Sequence, residues 1–331
     1  MAEEVGPLGR PQGLLRATLG SPQLVAFRAG AAVAAVLPGT VGRRIAEGAG
    51  IAASHLPGLV ARLGPLDNAA ATSGLRQRRR QMARHLRRVE GPDLVGVALS
   101  EQVDAAFASY ARYWAESLRL PSLTPVEVDA GMSYRGMDHL YDAVALGRGA
   151  ILALPHLGGW EWGGMWLAHT GTPVSVVVEA VEPPELFEWF TLFRRRLGME
   201  VIANGPQAAA ACLHALDQGR VLCLLSDRVV GSTLGVEVEF FGERTRMPAG
   251  PVTLGLRTGV PVLPAAVYFA GPGNGHLAVV RSPLPLARTA GRLRDDIVAG
   301  TQLLAGELEV LIRREPTQWH MMQANWPSDL S

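Results

Sequence analysis

Residues 150–162 read Ala-Ile-Leu-Ala-Leu-Pro-His-Leu-Gly-Gly-Trp-Glu-Trp, a short apolar run that leads into a glycine-rich turn. The run from Ala150 to Leu154 has the length and composition of a strand that is buried on both faces. The residues after Gly158 indicate a helix, so the stretch predicts the order strand, turn, helix. Because repeated units of this kind build parallel sheets, the stretch predicts an α/β fold.

Three further apolar runs repeat this pattern later in the chain. Residues 174–178, 221–225 and 260–267 are rich in valine or leucine and are bounded by turn residues, as buried parallel strands are. Residues 236–241 instead alternate apolar residues with two glutamates, which predicts a half-exposed strand with both carboxylates on one face. The predicted fold class is α/β, with a mostly parallel central sheet flanked by helices.

The chain before the first strand has a helical pattern. From about Pro22 to Arg88 it is rich in Ala, Leu and Arg with scattered Gly and Pro, and it shows no strand pattern. A long helix is expected between Pro92 and Leu120. We therefore expect an N-terminal helical extension over residues 1–92, close to a membrane, and an α/β domain over residues 93–331.

Basic and apolar side chains lie close together in that extension. Apolar residues between positions 24 and 36 are flanked by Arg28, Arg43 and Arg44, a combination that suits the headgroup region of an anionic membrane. A dense basic run over residues 76–88 sets a local positive potential. Packing on the main domain is the alternative for the apolar residues, and a solvated helix face is the alternative for the basic run.

The composition excludes several kinds of chemistry. All 31 basic residues are Arg, so neither Schiff-base formation by Lys nor the phosphate-binding lysine of a P-loop is available. A formal net charge of +1 argues against a nucleic-acid-binding protein. Cys212 and Cys223 have no C-x-x-C spacing and the histidines form no metal-binding pattern, so we expect no metal.

The first residues do not have the composition of a secretory signal peptide. Glu3 and Glu4 precede a Gly/Pro-rich stretch, where a signal peptide needs a basic region and an apolar core. The apolar stretch from Ala29 to Leu37 is shorter than the roughly 20 residues of a transmembrane helix. We expect a peripheral protein on the cytoplasmic face of the cell membrane, in contact with the inner leaflet.

His156 lies where a ligand is expected. Open α/β sheets bind ligands beyond the carboxyl ends of their strands, and a histidine there can remove a proton from a hydroxyl group. Gly158 and Gly159 would let a substrate approach the backbone, and the N-terminus of the following helix can stabilise negative charge. Glu161 can return over the start of that helix toward the histidine.

The residues His-Leu-Gly-Gly-Trp-Glu at 156–161 resemble the H-x-x-x-x-D/E signature of the bacterial lipid A biosynthesis lauroyl and myristoyl acyltransferases. The similarity is greater to the actinobacterial phosphatidylinositol mannoside acyltransferases of that superfamily, and it extends from about Val25 to Trp326. The resemblance implies a long-chain acyl-coenzyme A as donor and a phosphoglycolipid, a phosphatidylinositol mannoside, as acceptor. It implies no cofactor beyond this acyl-CoA co-substrate.

The resemblance also points to a cluster of arginines. Arg194, Arg195 and Arg196 end a helix that starts near Pro184, where such enzymes carry an arginine that contacts the phosphorylated substrate. Three adjacent guanidinium groups can bind coenzyme A phosphates or a lipid phosphate. Charge that complements the helix dipole is the alternative explanation.

Two other segments resemble parts of the family. Asp227 and Arg228 follow a buried strand where the family usually has Asp-Arg-Asp, although Val229 replaces the second Asp, and we assign both residues to substrate binding. The tail at 316–323 resembles the terminal signature of the family. We expect the tail to be structural and its His320 to pack or to form a hydrogen bond.

The family also supplies a carboxylate that orients the catalytic histidine. The segment 235–242 resembles the part of the family that carries it. We select Glu237 as the partner of His156, with Glu239 on the same strand face as an alternative. Glu161 is the other candidate for this role.

The expected reaction is a direct acyl transfer. His156 removes a proton from a sugar or inositol hydroxyl, and the oxygen attacks the thioester without an acyl-enzyme. The candidates for lining an acyl-chain tunnel, with core packing as the alternative, are Trp160, Trp162, Met165 and Trp166. No G-x-S-x-G motif of an esterase occurs. A non-catalytic lipid-binding membrane protein and a lipid A-type or other lipid acyltransferase are the remaining alternatives.

Overall fold

Four helices come first in the computed structural model, which describes residues 21–63, 69–230, 235–271 and 275–330. They are α1 (Pro22–Val36), α2 (Gly39–Leu63), α3 (Ala69–Glu90) and α4 (Gly96–Arg119). The helical character predicted for this region is confirmed where it is described. The first part of the predicted extension, including Glu3 and Glu4, lies outside the described residues.

The rest of the chain alternates short helices with strands. In chain order the elements are α5 (Pro125–Ala130), β1 (Met132–Arg135), α6 (Met137–Ala145), β2 (Ala150–Leu154), α7 (Trp160–His169), β3 (Val174–Val178), α8 (Pro184–Arg196), β4 (Met199–Ala203), α9 (Ala208–Asp217), β5 (Val221–Leu225), β6 (Gly235–Phe240), β7 (Glu243–Pro248), α10 (Gly250–Thr258), β8 (Val262–Phe269), β9 (His276–Val280) and α11 (Leu293–Arg314). Two single turns of 3-10 helix follow α11, at Pro316–Gln318 and Pro327–Asp329.

Seven strands form the central sheet in the order β1-β9-β8-β2-β5-β3-β4. Neighbouring strands are parallel except for β8 and β9, which are antiparallel. Every residue of β2 and of β8 is buried, as strands in the middle of a sheet covered on both faces should be. The predicted α/β class and the strands at 150–154, 174–178 and 221–225 are confirmed, and the strand predicted at 260–267 runs from Val262 to Phe269.

The alternating segment forms β6, which lies outside the central sheet. It pairs with β7 in a two-stranded antiparallel hairpin. Glu237 and Glu239 are exposed on one face while Val238 and Phe240 are buried, which confirms the predicted half-exposed strand. The hairpin is fixed to α11, because the Gln302 side chain bonds both the N–H and the carbonyl of Glu239 (2.8 and 2.9 Å).

Helices α1, α2 and α4 pack on one another and on the α/β part of the chain. The Phe27 ring of α1 lies 5.1 Å from the Trp114 ring of α4 and 5.0 Å from the Phe190 ring of α8. Helix α2 crosses α4 so closely at Gly50 that a Cβ atom there would lie 2.6 Å from the carbonyl oxygen of Phe107. The packing alternative is therefore confirmed for one face of these helices.

The surface of α1 and α2 carries several exposed large apolar side chains, of which Val33 and Ile45 also line the cavity described below. Val33 is 54%, Val36 79%, Val41 45% and Ile45 59% exposed, and Arg44 is exposed beside them. An exposed group of large apolar side chains with a neighbouring cation suits a membrane surface. Within the described residues, every helix is too short or too polar to cross a bilayer.

Candidate active site

His156 and Asp227 meet at the carboxyl edge of the central sheet. Strands β2 and β5 are parallel neighbours, and Leu154 at the end of one pairs with Leu225 at the end of the other. Two residues beyond this pair, the chain reaches His156 on one side and Asp227 on the other. The Nδ1 atom of His156 lies 2.5 Å from Asp227 Oδ1, and the backbone N–H of His156 donates to Asp227 Oδ2 (2.8 Å). We call this pair the dyad.

The dyad carboxylate is buried and surrounded by donors. Asp227 is 0% exposed. The indole N–H of Trp319 donates to its Oδ2 (2.8 Å), and the side-chain amide of Asn325 donates to its backbone carbonyl (3.0 Å). Burial by itself would raise the pKa of Asp227, but the interactions with His156 and Trp319 outweigh it and hold that pKa below its ordinary value.

The histidine of the dyad is oriented for proton transfer. An ionised carboxylate accepts a hydrogen bond from Nδ1–H, which leaves Nε2 as the nitrogen that can take up a proton. The His156 side chain is 24% exposed, so the dyad is partly open to solvent. The geometry is that of a general base held by a buried carboxylate.

The prediction that Glu237 orients His156 is wrong. The Glu237 side chain is 65% exposed and pairs with Arg244 (3.1 Å), because β6 belongs to the separate hairpin. Glu239 is also exposed and its backbone is bonded to α11. Asp227, which the sequence assigned to substrate binding, holds the place next to the histidine. The equal length of β2 and β5 is the signal that could have identified it, but only once the two strands are known to be neighbours.

Glu161 contacts an arginine instead of the dyad. Its carboxylate is 2% exposed, and Arg194 donates to Oε1 from Nη2 (2.7 Å) and Nε (3.1 Å). The Tyr113 hydroxyl lies 3.5 Å from the same oxygen. Burial raises the pKa of Glu161, and the charge of Arg194 opposes this rise. The pair joins the start of α7 to the end of α8 next to the site.

The four arginines predicted to bind substrate have different surroundings. Arg194 is directed inward onto Glu161, and its guanidinium lies 5.2 Å from the Trp160 ring centre. Arg195 and Arg196 are exposed at the end of α8. The Arg228 side chain is 22% exposed and lies 3.5 Å from Glu179. Arg195 and Arg196 are therefore open to a phosphate group, whereas Arg194 is committed to a protein partner.

Gly158 and Gly159 are required by packing against β8. Gly158 has a φ of +57°, and a Cβ atom there would lie 2.0 Å from the carbonyl oxygen of Val267. The N–H of Gly158 donates to the Gln318 carbonyl (3.0 Å) and that of Gly159 to the Val267 carbonyl (2.9 Å). Both N–H groups are thus used within the protein. The expectation that these glycines present their backbone to a substrate is corrected accordingly.

A cavity of about 650 Å³ lies between α1, α2 and α4. Its walls are formed mostly by Ala, Gly and Leu residues, and the aromatic residues Trp162 and Tyr110 line it as well. The Tyr110 ring packs 5.4 Å from the His320 ring, and the backbone N–H of His320 donates to the His156 carbonyl (2.8 Å). One layer of side chains therefore separates the cavity from the dyad.

The four predicted tunnel residues are divided among three places. Trp162 lines the cavity. Trp160 and Trp166 border a gap of about 50 Å³ between α7 and the sheet. Met165 belongs to the buried core. Trp162 and Trp166 belong to the same buried core as Met165, and Trp160 packs against it, so the core-packing alternative holds for all four residues.

His320 packs beside the dyad and forms the hydrogen bond that was expected of it. Its Nε2 lies 2.9 Å from the Ser109 hydroxyl. Burial lowers the pKa of His320 to about 3, and the nearby His156 contributes to that shift. His320 is therefore neutral near pH 7. No three described His, Cys, Asp or Glu residues lie close enough to hold a metal ion.

Comparison with known proteins gives consistent matches over most of the chain. The family model described as bacterial lipid A biosynthesis acyltransferase matches residues 68–328. A phosphatidylinositol mannoside acyltransferase of Mycolicibacterium smegmatis is 38% identical over 254 residues, which cover 76% of this chain and 80% of that protein. Phosphatidylinositol mannoside acyltransferases from two strains of Mycobacterium tuberculosis are also 38% identical, over 76% of this chain and 78% of each relative.

Proposed function

Since the chain belongs to the bacterial lipid A biosynthesis acyltransferase family and is thus a lipid acyltransferase, we propose that it transfers a long-chain acyl group from acyl-coenzyme A to a hydroxyl of a phosphatidylinositol mannoside. The observation that carries the proposal is the 2.5 Å contact between His156 and buried Asp227 at the carboxyl edge of the sheet. The names of the 38% identical relatives support the choice of acceptor.

In the proposed mechanism the dyad activates the acceptor hydroxyl. His156 Nε2 takes the hydroxyl proton as the oxygen attacks the thioester carbonyl carbon, and Asp227 stabilises the imidazolium that forms. The tetrahedral intermediate then collapses, the carbon–sulfur bond breaks, and the thiolate of coenzyme A takes the proton from His156. The products are the acylated lipid and free coenzyme A, and no acyl-enzyme forms.

The cavity between α1, α2 and α4 is the proposed site for the acyl chain. Its volume of about 650 Å³ and its apolar walls suit a hydrocarbon chain. Trp162 and Tyr110 form the part of the wall that lies near the dyad. A chain bound there would have its thioester end at this wall, one layer of side chains away from His156.

The exposed arginines are the proposed contacts for phosphate groups. Arg195 and Arg196 face solvent at the end of α8, and guanidinium groups bind phosphate oxygens in pairs. Arg194, next to them in sequence, binds the buried Glu161 carboxylate and so fixes the end of α8. Arg228, near the dyad in sequence, is a further candidate. The phosphate can belong either to coenzyme A or to the lipid acceptor.

The exposed face of α1 and α2 is the proposed membrane contact, and we place the protein peripherally on the cytoplasmic face of the cell membrane. Val36 and Ile45 are the most exposed large apolar side chains of this face. Arg28 and Arg44 are exposed near them and can contact anionic headgroups. Both a membrane-resident acceptor and the acyl cavity would then lie at the bilayer surface.

The test is acyl transfer from radiolabelled palmitoyl-coenzyme A to purified phosphatidylinositol mannosides in liposomes. Wild type should transfer label to the mannoside, and His156→Ala should lose about 10² to 10⁴ of the rate. His139→Ala, at a half-exposed histidine of α6, is the matched control and should keep the wild-type rate. Equal rates for wild type and His156→Ala would refute the mechanism.

The same assay distinguishes the alternatives. A lipid A-type donor preference would appear as faster transfer from acyl carrier protein than from coenzyme A. Label found only in free fatty acid would indicate hydrolysis in place of transfer. Absence of turnover with every donor and acceptor, from protein that binds liposomes, would favour the non-catalytic lipid-binding protein.

A further inference from the structure

Residues 319–329 form a segment that covers the dyad. Trp319 donates from its indole N–H to the dyad carboxylate (2.8 Å). The backbone N–H of His320 donates to the carbonyl of the dyad histidine (2.8 Å). The side chain of Asn325 donates to the backbone carbonyl of the dyad aspartate (3.0 Å). Three residues of one segment therefore determine how the dyad is placed.

The Asp329 side chain binds the backbone of other residues in this segment. It is 0% exposed, and its Oδ2 accepts the backbone N–H groups of Asn325 (2.9 Å) and Trp326 (3.1 Å). Burial alone would raise the pKa of Asp329, but the hydrogen bonds from His85 and from these N–H groups hold it well below its ordinary value. The carboxylate is thus ionised, and its charge strengthens each of these hydrogen bonds.

Helix α3 fixes Asp329 from the other side. His85 Nε2 lies 3.1 Å from Asp329 Oδ2, while His85 Nδ1 lies 2.8 Å from the carbonyl oxygen of Met321. Both terminal nitrogens of Arg88 lie 3.3 Å from Asp329 Oδ1, and Arg84 donates to the backbone carbonyl of Asp329 (2.9 Å). These three side chains face Asp329 from α3. The segment is therefore anchored to a rigid helix at its far end.

We propose that Asp329 is a positioning residue for the acyl transfer: by closing the 319–329 segment onto α3, it holds Trp319 and Asn325 against Asp227 and so fixes the orientation of His156. The proposal rests on the proposed function, because it concerns the general base of that reaction. Asp329 itself contacts neither dyad residue among the described hydrogen bonds. It acts through Asn325, whose backbone it binds and whose side chain binds the dyad.

The consequence concerns the ion pair of the dyad. If the segment loosens, Asp227 loses donors that aim its Oδ1 at His156, and the imidazolium that forms during transfer is less well stabilised. A displacement on the order of 1 Å of a catalytic group costs up to about 10²-fold in rate. In addition, the acid limb of the kcat profile reports protonation of His156. It should move to lower pH, because the imidazolium is then less well stabilised by Asp227.

The experiment compares Asp329→Asn with Asp296→Asn in the full chain. Asp296 is a matched control, because its side chain is 5% exposed and bonded to Arg288 and Thr289 at the start of α11, and in the part of the chain that the structure describes it bonds neither to the dyad nor to residues 319–329. Both variants lose a buried, arginine-paired carboxylate. Thermal unfolding and kcat from pH 5 to 9 are measured for both, with acyl-CoA saturating.

We expect kcat of Asp329→Asn to fall about 10- to 100-fold with its acid limb displaced to lower pH. Asp296→Asn should lose thermal stability and keep both the wild-type kcat and the wild-type pH profile. A wild-type kcat for folded Asp329→Asn would overturn the proposal. So would a lowered kcat with an unchanged pH profile, since that result indicates only a smaller folded fraction.

A second variant covers the case in which Asp329→Asn does not fold. Trp319→Phe removes the indole donor to Asp227 but keeps an aromatic ring, and it should show the same displacement of the acid limb. An unchanged profile in Trp319→Phe would then refute the positioning role. The proposed function fails separately, through equal rates for wild type and His156→Ala, whatever the Asp329 variants do.

Discussion

Replacing Asp227 by Asn should disable the dyad through the wrong tautomer of His156. Two donors, the backbone N–H of His156 and the indole N–H of Trp319, point at Oδ2 of Asp227 (both 2.8 Å). The amide oxygen of Asn must therefore take the Oδ2 position, which places the amide NH2 at the former Oδ1, 2.5 Å from Nδ1. Nδ1 must then accept, the ring proton moves to Nε2, and the general base is lost.

The size of the effect follows from what the dyad supplies. General base catalysis contributes a factor of about 10² to 10⁴ in rate. Asp227→Asn also removes the charge that stabilises the imidazolium, which increases the loss of rate. We therefore expect kcat of Asp227→Asn to fall about 10³-fold, which corresponds to about 4 kcal/mol of transition-state stabilisation. The KM for acyl-CoA should change little, because the carboxylate is buried away from the donor.

The assay is the initial rate of palmitoyl transfer to phosphatidylinositol mannoside, with thermal unfolding measured on the same preparations. Glu237→Gln is the matched control, since Glu237 is an exposed carboxylate that pairs with Arg244, and it should keep the wild-type rate. A folded Asp227→Asn protein within about threefold of wild type would refute the reasoning. A loss of rate in Glu237→Gln equal to that of Asp227→Asn would restore Glu237 as the partner.

Three further predictions concern the cavity, the membrane and acid stability. Ala46 lines the cavity, so Ala46→Leu should shift the preference toward shorter acyl chains by about 10-fold in relative kcat/KM. Ala52 is exposed on the same helix, and Ala52→Leu should leave the preference unchanged. Competition between acyl-CoA donors of different chain length measures the preference. Val36→Asp should weaken binding to anionic liposomes in sedimentation assays, whereas Val310→Asp, 50% exposed on α11, should leave it unchanged. Because the pKa of Asp329 is lowered in the folded protein, its carboxylate adds folding stability that is complete above the unfolded-state pKa of about 3.9 and is lost as the pH falls below that value. The urea concentration at the unfolding midpoint should therefore fall less steeply between pH 6 and pH 3 in Asp329→Asn than in wild type.

The central part of the fold could be predicted from the sequence because its strands are buried on both faces. β2, β3 and β5 are continuous apolar runs, and turn residues mark their ends. Four strands were not predicted. β1 and β4 lie at the two edges of the sheet and expose part of their residues, β7 lies in the separate hairpin, and β9 alternates buried with partly buried residues. The division of the chain near residue 92 stays a prediction.

The site was predicted less completely, for a reason of topology. His156 and the end of its strand can be identified from local sequence, and so can the strand before Asp227. Which strands are neighbours depends on long-range pairing, and the dyad partners, 71 positions apart in sequence, carry no local sign of it. Glu237 was preferred because segment 235–242 resembles the part of the family that carries the orienting carboxylate, although the hairpin that contains it lies outside the central sheet.

The 319–329 segment also has a consequence for how the enzyme is made. The central sheet can form from residues before 281, yet the donors that hold Asp227 are supplied by Trp319 and Asn325. In a chain still being synthesised, His156 and Asp227 are therefore present before the residues that contact Asp227 from the other side. The contacts of Trp319 and Asn325 with Asp227 can form only after residues up to 325 have been added, so this part of the site is completed late in synthesis.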